Sequence, residues 1–144
     1  MMIRIVSLTH GGDSSCPATV VAERCEVAKT FFSRFKGLMG KKNLNSGEGL
    51  LLSPCHEIHM WWMRIPIDVV FLQKEPFSNQ AVSGDTEFYQ VTSVVEFLKP
   101  WRLLPVRDGN ARDTLELPIG TIQRCELKAG TRLEVSKIWE GSSQ

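Results

Sequence analysis

Ile58-His59-Met60-Trp61-Trp62-Met63-Arg64-Ile65-Pro66-Ile67-Asp68-Val69-Val70-Phe71-Leu72 is the most apolar stretch of the chain; Pro66 interrupts it and Pro54 precedes it. Proline removes a backbone donor and is excluded from inner strands and helix interiors. The runs at 58–63 and 67–72 therefore have the texture of consecutive short buried strands, not of a helix. The same texture extends outward. Leu50-Leu51-Leu52 is another short apolar run, and residues 88–98 are rich in Val, Thr, Phe and Tyr. Further strands are predicted at 2–8, 19–26, 114–117 and 131–138, the last with Leu133, Val135 and Trp139 on one face. Gly11-Gly12-Asp13-Ser14-Ser15-Cys16-Pro17, residues 43–49, Asp108-Gly109-Asn110 and Lys128-Ala129-Gly130 supply the loops and turns.

One segment has helical spacing. Ala28, Phe31, Phe32, Phe35, Leu38 and Met39 recur at i, i+3, i+4 and i+7, with Lys29, Ser33, Arg34 and Lys36 between them, and Gly37 and Gly40 fray the end. A second, shorter helix fits 118–125, with Ile119, Ile122 and Cys125 inward. Seven or so short strands against one good helix predict an α+β fold, predominantly β: a compact β-barrel or sandwich-like domain with one amphipathic helix packed on it. Without long crossover helices, a parallel doubly wound sheet is not expected.

The chain has 144 residues, 42% of them apolar, and 17 Lys and Arg against 16 Asp and Glu. That is the size of one domain, expected to span 1–144 with a loose tail at 141–144. A net charge of +1 lacks the concentrated positive field of a nucleic-acid binder. The start, Met1-Met2-Ile3-Arg4-Ile5-Val6, is too short and interrupted for a signal segment, and no apolar run approaches the roughly 20 residues of a membrane span. Cys16, Cys25, Cys55 and Cys125 are scattered without a C-x-x-C pair, which reads as reduced thiols and a cytoplasmic address.

Three landmarks occur in order: Phe32-Ser33-Arg34-Phe35-Lys36-Gly37-Leu38-Met39-Gly40, then Gly47-Glu48-Gly49-Leu50-Leu51-Leu52, then the Ile58 to Leu72 stretch. Together with Thr114-Leu115-Glu116-Leu117-Pro118-Ile119-Gly120 they closely resemble the bacterial and archaeal family known as domain of unknown function 192, in its Cys and His variant. The resemblance covers residues 22–139. It implies a compact β-rich domain and assigns no activity. The segment carrying Lys74-Glu75-Pro76-Phe77 departs from the family's short aspartate-glycine hairpin.

Several residues could carry chemistry. Asp68 sits where both strand faces are apolar, so its carboxylate must find donors: Arg64 at the same strand parity, Arg34 or His59 brought near by folding, or backbone N–H groups. It is either a structural lock or the polar floor of a pocket. As a strand, Met60-Trp61-Trp62-Met63 would send its indoles to opposite faces, at least one into the core and the other to a surface or pocket rim. Trp61, Trp62, Met63, Arg64 and Asp68 are thus the candidate ligand-binding residues, a mixture of apolar wall and a few charges suited to a small molecule or protein partner. Cys55 and His59 would face each other at i, i+4 on a helical turn, as a nucleophile pair or metal ligands, but lie about 13 Å apart on an extended strand. A zinc site would need more ligands from His10, Cys16, Cys25, Cys125 or a carboxylate, with no spacing signal, so no metal and no cofactor are expected. Phosphate-loop, G-x-S-x-G and H-E-x-x-H patterns are missing from the sequence. The leading reading is a non-enzymatic binding or interaction module; the alternative is an enzyme using Cys55 and His59.

Overall fold

The computed structural model describes residues 1–8, 18–76 and 84–138, and only the backbone of Phe31, Phe32 and Phe35. The loop expected over 11–17, the tail at 141–144, the place of Trp139, the apolar face of the three phenylalanines, and His10 and Cys16 as ligands lie outside the described residues. The elements run β1 (Met2–Leu8), β2 (Thr19–Ala28), α1 (Phe31–Lys36), β3 (Glu48–Leu52), β4 (Glu57–Ile58), β5 (Ile67–Lys74), β6 (Thr86–Leu98), β7 (Val106–Arg107), β8 (Asp113–Leu117), α2 (Thr121–Cys125) and β9 (Arg132–Lys137). Among the described residues, seven strands close into a barrel in the order β1-β2-β3-β8-β5-β6-β9, and β4 pairs with β7 as a separate ribbon. The β2–β3 pairing is parallel and the other pairings are antiparallel. No helix among the described residues is long and apolar enough to cross a membrane.

Closure explains the two-sided apolar strands. Val70 and Leu72 of β5 and Leu115 and Leu117 of β8 point into the barrel with Ile3, Ile5, Val91, Leu133 and Val135. The alternate residues Ile67, Val69 and Phe71 point outward, yet they too are buried, because Leu38, Ile58, Met60, Met63 and Leu98 cover that face as a second core. A strand between two cores loses the polar alternation of a half-exposed strand, which is why β5 reads as a continuous apolar run.

The structure corrects three expectations. The helix is confined to Phe31–Lys36 instead of extending from Ala28 to Met39 as its apolar spacing suggested: β2 runs on through Ala28, and Thr30 starts α1 with a reciprocal capping box to Ser33. Gly37 ends α1 at a positive φ. The Glu116 carboxyl lies 3.8 Å from where a Cβ on Gly37 would sit. A side chain there meets both backbone strain and a buried acid. The predicted strand at 58–63 ends at Ile58. Met60 to Met63 is instead a turn, closed by Met63 N–H donating to the Met60 carbonyl at 3.3 Å. Ile119, expected inward beside Ile122 and Cys125, is exposed, and α2 begins only at Thr121.

Candidate functional site

The turn at Met60 to Met63 decides where the indoles go. Met60 and Met63 are buried in the second core, and the two residues between them point outward. Neither indole packs in the core, contrary to the expectation for one of them: Trp61 is 45% exposed and Trp62 63%. A strand crossing would have separated them; a turn places both on the outside. The segment after β6 joins them there. Trp101 donates its backbone N–H to the Met60 carbonyl at 2.8 Å, its ring meets that of Trp62 edge-on at 5.1 Å, and Trp61 Nε1 donates to the Leu103 carbonyl at 3.2 Å. Phe97 and Trp101 are more than half exposed, and Leu103 and Leu104 are exposed at 83% and 72%. The result is an exposed apolar ridge.

Trp62, Phe97 and Trp101 all stand at positive φ, +66°, +50° and +59°. For a non-glycine residue that conformation costs roughly 1–2 kcal/mol and persists only where surrounding contacts hold it. The Phe97 case is visible in the sheet register. Ile67 faces Leu98 and Val69 faces Val95, so Glu96 and Phe97 together oppose the single residue Asp68, as in a β-bulge.

Asp68 fills the gap the bulge leaves. Its carboxylate, fully buried at the end of the barrel, accepts from Phe97 N–H at 2.9 Å through Oδ1 and from Ile122 N–H at 3.0 Å through Oδ2. The second bond supplies the cap that α2 lacks from its own sequence, since its N-cap is Gly120. The donors are backbone groups and not Arg64, which is exposed beside the ridge. The five residues read as a ligand-binding set therefore divide: Trp61, Trp62 and Arg64 are exposed, Met63 is buried beneath them, and Asp68 holds the bulge that positions Phe97.

Cys55 lies beside α1 in different surroundings. Its thiol donates to the Glu57 carbonyl at 3.1 Å. Burial raises its pKa above the ordinary thiol value, with the charge of Glu116 adding to the effect and Arg34 opposing it. The ring of His59 packs against Trp61 at 5.3 Å between centroids. A thiol kept protonated is a poor nucleophile near neutral pH. Alkylation of native Cys55 is expected to be slow at pH 7 and to accelerate with a midpoint above that of free cysteine. A midpoint below it would favour the enzyme reading.

Glu116 was missed by residue-level reasoning. It is buried on the outer face of β8, its Oε2 has no hydrogen-bond partner among the described residues, and burial pushes its pKa up to about 7. Trp101, Leu103, Leu104 and Phe97 were also missed as surface features. The available signal was Trp101-Arg102-Leu103-Leu104 between Pro100 and Pro105, an apolar run with neither strand alternation nor helical length. Residues of the sequence motifs also meet one another in space. Arg34 Nη1 donates to the Pro54 carbonyl at 2.6 Å, and a Cβ on Gly49 would lie 3.1 Å from Leu117 and 3.3 Å from the Glu116 carbonyl.

These features define a class of small closed β-barrels with a second core wrapped on one face and an apolar ridge beside it. The chain belongs to the DUF192 family, described as Uncharacterized ACR, COG1430, whose model matches residues 15–83. A UPF0127 protein of Thermococcus sibiricus is 31% identical over 122 residues, covering 81% of this chain; the match spans 66% of that relative's length. Two solved structures share the fold. One, from Sinorhizobium meliloti 1021 and provisionally described as a transcription regulator, is 20% identical with a TM-score of 0.69 over 92% of both chains. The other, a protein of unknown function from Novosphingobium aromaticivorans, is 22% identical with a TM-score of 0.67 over 92% of this chain and 84% of its own.

Proposed function

We propose that this protein is a non-enzymatic binding module that meets its partner through the ridge of Trp61, Trp62, Phe97, Trp101, Leu103 and Leu104, with Arg64 at its side and Met63 and Asp68 supporting it from within. The observation that carries this reading is the pairing of exposure with strain: three of the exposed aromatic residues stand at positive φ. Selection for stability alone would favour glycine at such positions and polar side chains on such a surface. The raised pKa of Cys55 weighs against thiol chemistry as the main activity.

The fluorescent apolar anion 1-anilinonaphthalene-8-sulfonate tests the ridge directly. The folded protein is expected to bind it with enhanced, blue-shifted emission, and a Trp62→Gly, Trp101→Gly double variant, in which glycine fits both backbone conformations, is expected to lose most of that signal while melting as a folded protein. Equal dye binding by the two proteins would remove the ridge as a binding surface.

A further inference from the structure

We propose that the surface the ridge docks on is an anionic lipid bilayer, met peripherally and not spanned; this rests on the ridge being the binding surface. Two independent features point there. The first is the kind of side chain exposed. An indole carries an apolar body and one polar N–H, the combination that concentrates tryptophan at the headgroup level of membranes. Leu103 and Leu104 are adjacent and are the most exposed large apolar residues described. An aliphatic pair beside aromatic residues suits shallow entry at the headgroup and acyl boundary.

The second feature is charge. Over residues 59–65 and 96–104, which contain the whole ridge, the cations are Arg64, Lys99 and Arg102 and the single acid is Glu96. All four are exposed. Lys41, also exposed, follows Gly40, whose N–H donates to the Trp62 carbonyl at 3.2 Å. In a chain with net charge +1 this is a local excess of positive charge laid around an apolar surface. Anionic headgroups complement that pattern, and each basic residue near such a surface contributes to binding. The ridge is also ordered before contact: the Trp101 to Met60 and Trp61 to Leu103 hydrogen bonds fix both segments, so docking orders little backbone.

The test is co-flotation of the full chain with vesicles of phosphatidylcholine alone and of phosphatidylcholine and phosphatidylglycerol in equal parts, at low and high salt. Sizing with light scattering runs in parallel. We expect partition onto the mixed vesicles with a blue shift in tryptophan emission, little onto phosphatidylcholine alone, and weakening by salt. Leu103→Ser with Leu104→Ser is expected to lower the partition by about tenfold or more. Arg64→Gln with Arg102→Gln should lower it by about fivefold for each charge removed. Trp62→Gly with Trp101→Gly keeps the test valid should a serine variant fail to fold. Absence of flotation, or flotation unchanged in all three variants, overturns the lipid assignment. If flotation is absent but the wild type self-associates and the ridge variants do not, the partner is a second copy of the chain and only the ridge reading stands. If wild type and variants behave alike in flotation and sizing, and also bind the dye equally, both readings fall.

Discussion

Replacing Glu116 with Gln is expected to remove a pH dependence of stability that the wild type shows between about pH 4.5 and 7. In the unfolded chain this carboxyl ionises near its ordinary value of 4.5, whereas in the barrel burial raises that value to about 7. The folded state therefore holds the proton more tightly. Stability is greatest below pH 4.5, falls as pH rises through the interval while only the unfolded chain ionises, and levels off above pH 7. A shift of that size corresponds to about 3 kcal/mol between the two plateaus, at about 1.36 kcal/mol per unit. The Gln variant has no proton to exchange. The difference in unfolding free energy, variant minus wild type, should rise by about 3 kcal/mol from pH 4.5 to pH 7.5 in urea titrations. A difference that stays constant across that range would show that Glu116 ionises in the folded protein as it does in water.

Asp68→Ala should be the most damaging single substitution in the site, lowering stability by roughly 3–5 kcal/mol, because each hydrogen bond to a charged group contributes about 1.5–3 kcal/mol. Two N–H donors, those of Phe97 and Ile122, lose their acceptor, the first in a partly buried setting and the second in a fully buried one. Asp68→Asn is little better, since its amide keeps one oxygen and turns an N–H group toward the other donor. The loss should extend to the surface. Without the carboxylate, the bulge at Glu96 and Phe97 has no partner and α2 has no cap, so dye binding at the ridge should decline together with thermal stability. A cost below about 1 kcal/mol by urea unfolding would mean that the two amides find other partners.

Much of the barrel was legible along the chain. Strands at 2–8, 67–72, 114–117 and 131–138 fall within a residue or two of those observed, because short β-rich runs bounded by Gly, Pro and Asp carry their own turn signals. The first helix is shorter than its periodicity. Ala28 has the right spacing for the apolar face of α1, but pairing with Leu52 of β3 holds it in β2. Periodicity records only which residues avoid water; it does not record which neighbour shelters them.

The indoles show the same limit on a larger scale. Met60-Trp61-Trp62-Met63 reads as a strand because it is apolar and lies between strands. Its two methionines do enter a core. The turn between them depends on Trp101 and Gly40, both remote from it in the chain, whose backbone N–H groups bond the Met60 and Trp62 carbonyls. Asp68 was legible as a buried acid in need of donors, and backbone N–H groups were among those considered. Which two they would be was not, since Phe97 and Ile122 lie 29 and 54 residues away.

By itself, then, the sequence determined the family, the β-rich class and the presence of a carboxylate that had to be satisfied inside an apolar strand. Those properties follow from local composition and motif order, which survive in one dimension. Barrel closure, the second core that buries Glu116, and the gathering of Trp61, Trp62, Phe97, Trp101, Leu103 and Leu104 into one exposed surface were decided by the tertiary structure alone. Each depends on hydrogen bonds and packing between segments far apart in the chain, and a residue's own neighbours carry no record of that proximity.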